Sequence, residues 1–372
     1  MAIVTRLHVT NAHAHVAPDD TLNKENMKKL TLTMVALAAG MLAGTAIAQS
    51  TAQPPKAEPN MQKVLDAMAS LKPKPIETLS PEEARKQPTP SDAVKKVLTD
   101  AGKSTAPEPG VTMKTQTVQG KGGSFPVQLF TPEGKGPFPV IVYYHGGGFV
   151  IADTKVYEAS VRGLAKKAKA VVVSADYRLA PEHKFPTQPE DAFAAYQWAI
   201  ANAKSINGDP MRVAVAGESA GGNLATVVSM MAMEQKVQMP VHQLLVYPVV
   251  NDDMNNESYK KNANAKPLNK AMMGWFFKHY GADPKNPHAL PMKAASLKGL
   301  PSATVITAEI DPLMTEGKAY ADRLKKEGVA VSYRHFTGVT HEFFGMEAVV
   351  PKAKEAQQFA ADELTKAFNA KR

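Results

Sequence analysis

Val213-Ala214-Val215-Ala216-Gly217-Glu218-Ser219-Ala220-Gly221-Gly222-Asn223 decides how the rest of the chain is read. A short valine-rich run gives way to Gly-x-Ser-x-Gly, and a small-residue helical pattern starts at once. Strand, sharp turn and helix in that order describe a nucleophile elbow, in which a strained turn lifts a serine hydroxyl above the end of a parallel sheet. Gly217 and Gly221, two residues to either side of Ser219, leave room for a turn that side chains would obstruct. Five residues alone are a weak pattern. Their weight depends on whether the chain also supplies a base, an acid to orient it, and donors for a developing negative charge.

A serine hydroxyl is a poor nucleophile until a base takes its proton, and the base needs an orienting acid. Behind an elbow of this kind the partners follow the serine in the order Ser…Asp/Glu…His. Asp311 lies 92 residues after Ser219, in Ala308-Glu309-Ile310-Asp311-Pro312-Leu313, just past a run that reads as a strand. His341 lies 30 residues further on, in Thr340-His341-Glu342-Phe343-Phe344, after the next strand. Both fall at strand C-terminal ends, the edge where Ser219 sits. Of ten histidines, His341 has the right order and placement. His335 and Glu309 are rivals by proximity only, being closer to the strands themselves, and rank behind.

Donors come from Gly146-Gly147-Gly148, which follows the apolar run Val140-Ile141-Val142-Tyr143-Tyr144. Its backbone N–H groups can be approached with no Cβ in the way. Ala220 adds a further N–H at a helix start, where the dipole also favours negative charge. A phosphate-binding reading of the glycines finds no support: there is no Gly-x-x-x-x-Gly-Lys-[Ser/Thr], and no Gly-x-Gly-x-x-Gly with a downstream ribose acid. His145 reads as a loop-orienting residue and not as a second base.

The 372 residues are 44% hydrophobic and 21% charged, an ordinary composition with ample material for a core. Cysteine is absent, which excludes disulfides, thiolate metal sites and cysteine nucleophiles. The net charge of +9 is carried by scattered lysines such as Lys166-Lys167 and Lys325-Lys326, not by one basic-aromatic stripe. That is a solvated surface, and nucleic acid is not an expected partner. From Val111 onward, hairpin strands around Gly120-Lys121-Gly122-Gly123 precede apolar strands that alternate with helical patterns. Strands are expected near 140–144, 170–175, 212–216, 243–247, 303–308 and 329–333, and helices near 157–169, 190–203, 220–235, 315–327 and 352–368. The alternation predicts an α/β fold with a mainly parallel central sheet and helices on both faces. Residues 250–290 break it, with a helix through Met272-Met273-Gly274-Trp275-Phe276-Phe277-Lys278-His279-Tyr280 that reads as a cap over the site or as plain core. Three short helical patterns before the first strand, near Met61–Met68, after Ser80 and from Ser91, provide further cover.

These motifs together resemble the hormone-sensitive-lipase-type bacterial esterases of the α/β-hydrolase fold. The resemblance rests on His145-Gly146-Gly147-Gly148, Asp176-Tyr177-Arg178-Leu179-Ala180-Pro181-Glu182-His183, Gly217-Glu218-Ser219-Ala220-Gly221-Gly222, Asp311-Pro312-Leu313 and the His341 loop, and it covers about residues 60–370. It implies a serine carboxylesterase acting on short- to medium-chain esters, with Ser219, Asp311 and His341 catalytic and Gly147, Gly148 and Ala220 as oxyanion donors. It further implies that the Asp176–His183 segment is a structural turn, and that the cap joins residues 60–105 to the 250–290 insertion of a catalytic domain spanning 106–370. No metal or organic cofactor is required. Two residues depart from the pattern: Glu218 stands where Asp is frequent, and Glu342 follows His341 where Gly is common. Glu342 bears on the surroundings of the base or on the pocket entrance. Amidase, peptidase or acyltransferase chemistry on the same residues stays open, as does a non-catalytic ligand-binding member of the fold.

The N-terminus carries a different signal. Met27-Lys28-Lys29, an apolar run from Leu30 to Ala46 and Ala46-Ile47-Ala48 describe a secretory signal peptide cleaved after Ala48. The run is long enough for a membrane anchor but lacks the Leu/Ile/Phe content of one, so no stable span is expected in the mature chain. Residues 1–26, with His8, His13 and His15, fit an upstream extension better than a metal tract, and 49–59 reads as a linker. The expectation is a periplasmic or secreted enzyme whose partner is a small-molecule ester; a homodimer stays open.

Overall fold

The computed structural model of the chain describes residues 55–370. The expected signal peptide, the segment before it and most of the linker lie outside the described residues. Glu58, within the expected linker, is already fixed: its N–H donates to the Gly338 carbonyl at 2.8 Å and its carboxylate pairs with Lys352.

Three helices open the described chain: α1 (Pro59–Ser70), α2 (Pro81–Ala84) and α3 (Pro90–Asp100). Each has proline in its first turn, where a missing N–H costs nothing. Ser80 and Glu83 form a capping box on α2. The third helix starts earlier than the Ser91-Asp92 reading, because Thr89 and Asp92 form the box and Pro90 takes the first turn.

A hairpin of β1 (Val111–Gly120) and β2 (Gly123–Pro132) turns through Lys121-Gly122, with Gly120 paired to Gly123. Then come β3 (Phe138–Tyr144), α4 (Glu158–Ala168), β4 (Val171–Ala175), α5 (Thr187–Asn202), β5 (Gly208–Glu218), α6 (Ala220–Glu234) and β6 (Gln243–Val246). The remainder is α7 (Glu257–Lys261), α8 (Lys270–Tyr280), β7 (Ala303–Ile310), α9 (Met314–Lys326), β8 (Val331–Thr340) and α10 (Pro351–Asn369). The eight strands form one sheet in the order β1-β2-β4-β3-β5-β6-β7-β8, parallel from β4 onward. This is the α/β-hydrolase fold.

Period-two alternation splits each central strand between two cores. Val140, Val142 and Tyr144 of β3 face α5, α6 and α9, whereas Ile141 and Tyr143 face α1, α4 and α10. The strand expected at 329–333 is longer, running to Thr340. The extension begins with the polar pair Arg334-His335, so no continuous apolar run advertised it.

One approach inside this frame is closer than a side chain permits. A Cβ on Gly221 would lie 1.9 Å from the Tyr144 carbonyl oxygen, and one on Gly217 2.1 Å from the Gly221 carbonyl. Those partners are backbone and cannot rotate away. Gly221→Ala is expected to destabilise the fold by about 2–3 kcal/mol, read from the denaturant midpoint. Gly274→Ala, in the middle of α8 with only the Met254 methyl nearby at 3.8 Å, is expected to be neutral or to stabilise by about 0.5–1 kcal/mol.

Candidate active site

The loops at the C-terminal ends of β3, β5, β6, β7 and β8 meet at one edge of the sheet. Ser219 is the single residue between β5 and α6, held at φ 57°, ψ −117°. A residue with a side chain occupies that region only when its surroundings enforce it. They do so here: its N–H donates to Val246 at 2.9 Å, and its carbonyl accepts from Asn223 and Val249. The hydroxyl makes no hydrogen bond among the described residues and borders a cleft of about 700 Å³.

The His341 imidazole also borders that cleft. Its Nδ1 lies 2.7 Å from Asp311 Oδ2, and the other Asp311 oxygen accepts from the Leu313 N–H at 2.8 Å. Asp311 is fully buried, and the Asn262 amide holds its backbone carbonyl. Burial works against a charged His341, but Asp311, Glu342 and Glu218 outweigh it and raise the imidazole above its ordinary value. The rivals are engaged elsewhere. His335 lies within β8 and contacts Thr307 through Nδ1, and Glu309 accepts from the Gly338 N–H.

Gly147 (φ 96°) and Gly148 (φ 60°) also line the cleft. Their N–H groups donate to nothing among the described residues, and the Ala220 N–H stands at the first turn of α6. A Cβ on Gly148 would collide with the Phe276 ring at 2.2 Å, so this loop and α8 are fitted to each other. The Asp176–His183 segment braces the loop. Tyr177 stacks on His145 at 4.3 Å and donates to its carbonyl, while Asp176 accepts from the Thr154 N–H and hydroxyl. Arg178 pairs with fully buried Asp191, and His145 turns Nδ1 onto the Gly146 carbonyl at 2.7 Å. Burial lowers the His145 pKa, which suits a neutral, structural imidazole.

The cleft has apolar walls at Leu65 and Met68 of α1, Ile76, Leu268, and Met272 and Phe276 of α8, and charged side chains, among them Lys72, Arg85, Asp153 and Lys266, line it as well. This divides the aromatic residues of α8, which the sequence left undecided between core and cap. Phe276 faces the cleft. Trp275 donates to the Leu79 carbonyl at 3.1 Å, and Tyr280 stacks on Phe149 at 4.0 Å.

Sequence reasoning missed a buried acidic group behind the base. Glu218 accepts from the hydroxyls of Tyr143 and Tyr247, and the Tyr247 ring packs 4.4 Å from His341. Burial, reinforced by Glu342, pushes Glu218 up to about 7. Glu342 accepts from the Tyr157 hydroxyl at 2.7 Å and is likewise raised, by burial. No local pattern joins these residues, since the tyrosines come from three separate stretches. Glu316, on the first turn of α9, is buried too. Its Oε1 accepts from the N–H groups of Val250 and Asn251, and burial pushes it up to about 8. Among the described residues no group of side chains is arranged to hold a metal ion.

A family model described as α/β-hydrolase fold matches residues 141–345. The chain is 38% identical over 252 residues to the carboxylesterase NlhH of Mycobacterium tuberculosis, which covers 66% of this chain and 79% of the relative. It is 31% identical over 297 residues to an ethyl acetate hydrolase of Pseudomonas putida, covering 78% and 91%. Among solved structures, an esterase of Pyrobaculum calidifontis superposes with a TM-score of 0.74 at 34% identity, over 84% of this chain and all of that one.

The raised carboxyls fix the sign of one pH effect. A carboxyl whose folded pKa exceeds its unfolded value contributes stability below the unfolded pKa that is lost as pH rises through the folded one. For Glu316 that window runs from about 4.5 to about 8. Glu316→Gln should therefore gain on the wild type as pH rises from 5 to 8, by up to about 1.4 kcal/mol per pH unit. Urea unfolding at three pH values measures it.

Proposed function

The chain belongs to the hormone-sensitive-lipase-like α/β-hydrolase family and is a carboxylic ester hydrolase, and from that premise we propose that it is an exported enzyme working through an acyl-enzyme on Ser219. The observation that carries the mechanism is the convergence of the Ser219 hydroxyl and the Asp311-bound His341 on one cleft. With Nδ1 occupied by Asp311, Nε2 is the nitrogen left to take the serine proton. Oγ then attacks the ester carbonyl, and Asp311 stabilises the imidazolium. The N–H groups of Gly147, Gly148 and Ala220 receive the oxyanion, in a site where one such donor is worth ~10²–10³ in turnover. His341 returns the proton to the departing alcohol. Water repeats the sequence on the acyl-enzyme and frees the acid.

The lining of the cleft supports a substrate class. Leu65 and Met68 of α1 and Met272 and Phe276 of α8 offer apolar surface to an acyl chain, which supports short- to medium-chain acyl groups. Export rests on the Met27–Ala48 pattern, and among the described residues no helix is long and apolar enough to cross a membrane.

Ser219→Ala should lower kcat for p-nitrophenyl acetate by at least ~10⁴ while leaving thermal unfolding unchanged; turnover near wild type overturns the assignment. Comparing p-nitrophenyl esters of increasing chain length should show kcat/KM falling for long chains. N-terminal sequencing of the exported protein should begin at Gln49, and a mature chain that keeps Met1 would sink the export reading.

A further inference from the structure

Glu342 has a backbone that suits glycine and a side chain that is put to use. It sits at φ 70°, directly after His341. Its carboxylate is turned inward, only 17% exposed, with Oε1 at 2.7 Å from the Tyr157 hydroxyl and 3.7 Å from His341 Nε2. Asp311 occupies the opposite nitrogen of the same ring, at 2.7 Å. The imidazole is thus bracketed by a carboxylate on each side.

The groups facing Glu342 come from every element around it. Asp311 follows β7, Glu218 ends β5, and the hydroxyls of Tyr143, Tyr157 and Tyr247 reach in from β3, the turn before α4 and the end of β6. Together with them His341 faces Glu342, and it alone of this set can become a cation. On its other side Glu342 borders a second cavity of about 180 Å³, whose rim carries Lys155, Glu158, Arg162, Lys166 and Glu347. There Arg162 pairs with Glu158, Lys166 with Glu108, and Glu347 with Lys167.

We propose that Glu342 is a positioning residue for ester hydrolysis, its carboxylate stabilising the His341 imidazolium from the Nε2 side while Asp311 does so from the Nδ1 side. It exchanges no proton in the cycle. The proton leaves Ser219 Oγ for Nε2 and passes from Nε2 to the oxygen of the leaving alcohol, and Glu342 acts through the charge that forms between those two events. A carboxylate this close to a buried imidazole holds it in its charged form. The inference rests on the Ser219–His341 reading above and adds to it.

The test is the pH dependence of kcat and KM for p-nitrophenyl acetate, followed at the isosbestic wavelength of p-nitrophenol, in wild type, Glu342→Gln and Glu342→Gly. Gln keeps an oxygen to accept from Tyr157 but carries no charge. Gly relieves the left-handed backbone and removes the group altogether. Both variants are expected to lose about tenfold in kcat with KM within about twofold, and to move the acid limb of kcat/KM down by about one pH unit. Thermal unfolding of Glu342→Gly should be at or above wild type, which separates the kinetic loss from a folding defect. An unmoved pH profile in Glu342→Gln, a loss confined to KM, or wild-type kcat in Glu342→Gly each overturns the proposal. With Ser219→Ala inactive, such a result removes the role of Glu342 alone; turnover by Ser219→Ala removes the underlying reading.

Discussion

The active edge depends on one close approach, that of the first turn of α6 to the last carbonyl of β3. Because Gly217 and Gly221 present no side chains there, the helix starts against the sheet with no room for a conventional turn. Ser219 is therefore forced to φ 57°, and its hydroxyl projects past the strand end into the cleft. The same contact sets the donors. Ala220 becomes the first residue of a helix, with its N–H unpaired by geometry, and the glycine loop leaves β3 at the very carbonyl that Gly221 approaches. The Ser219 turn and the unpaired N–H groups beside it are two consequences of one packing constraint, so a change that relaxes it displaces both.

What the sequence makes legible is what is encoded locally or by order along the chain. Ser219, Asp311 and His341 stand out because each ends a strand and follows the others in the required order, and the strands because continuous apolar runs recur between helical patterns. Boundaries are less legible where two signals compete. Ser91-Asp92 resembles a helix start, yet Thr89 two residues earlier completes the capping box. The rest of β8 is missed because Arg334 and His335 interrupt the apolar pattern before the buried Phe336. The tyrosine shell is not legible at all. Tyr143, Tyr157 and Tyr247 each look like ordinary core aromatics, and only the fold shows that their hydroxyls meet two carboxylates.

That shell answers an electrostatic difficulty. Three carboxylates, on Glu218, Asp311 and Glu342, lie around one imidazole in a region with little water. Burying a charge without compensation costs several kcal/mol, so such a group must be paired, hydrogen-bonded or protonated. The site combines these remedies. Asp311 pairs with His341 and accepts the Leu313 N–H. Glu218, with two tyrosine donors and no cation, is pushed toward neutrality by burial. Glu342 stands between, with one tyrosine donor and the imidazole within 3.7 Å.

The backbone at residue 342 shows which requirement prevailed. Glycine would meet the left-handed turn after the base without strain, and a side chain there is accommodated only at a cost. Had Glu342 pointed to solvent, the strain would have no return. Instead the side chain is folded back toward the ring, and its carboxylate lies 3.7 Å from His341 Nε2. Strain at the backbone and complementarity at the imidazole therefore occur in the same residue. A glycine would restore the easy turn and leave the Nε2 side of His341 without a countercharge.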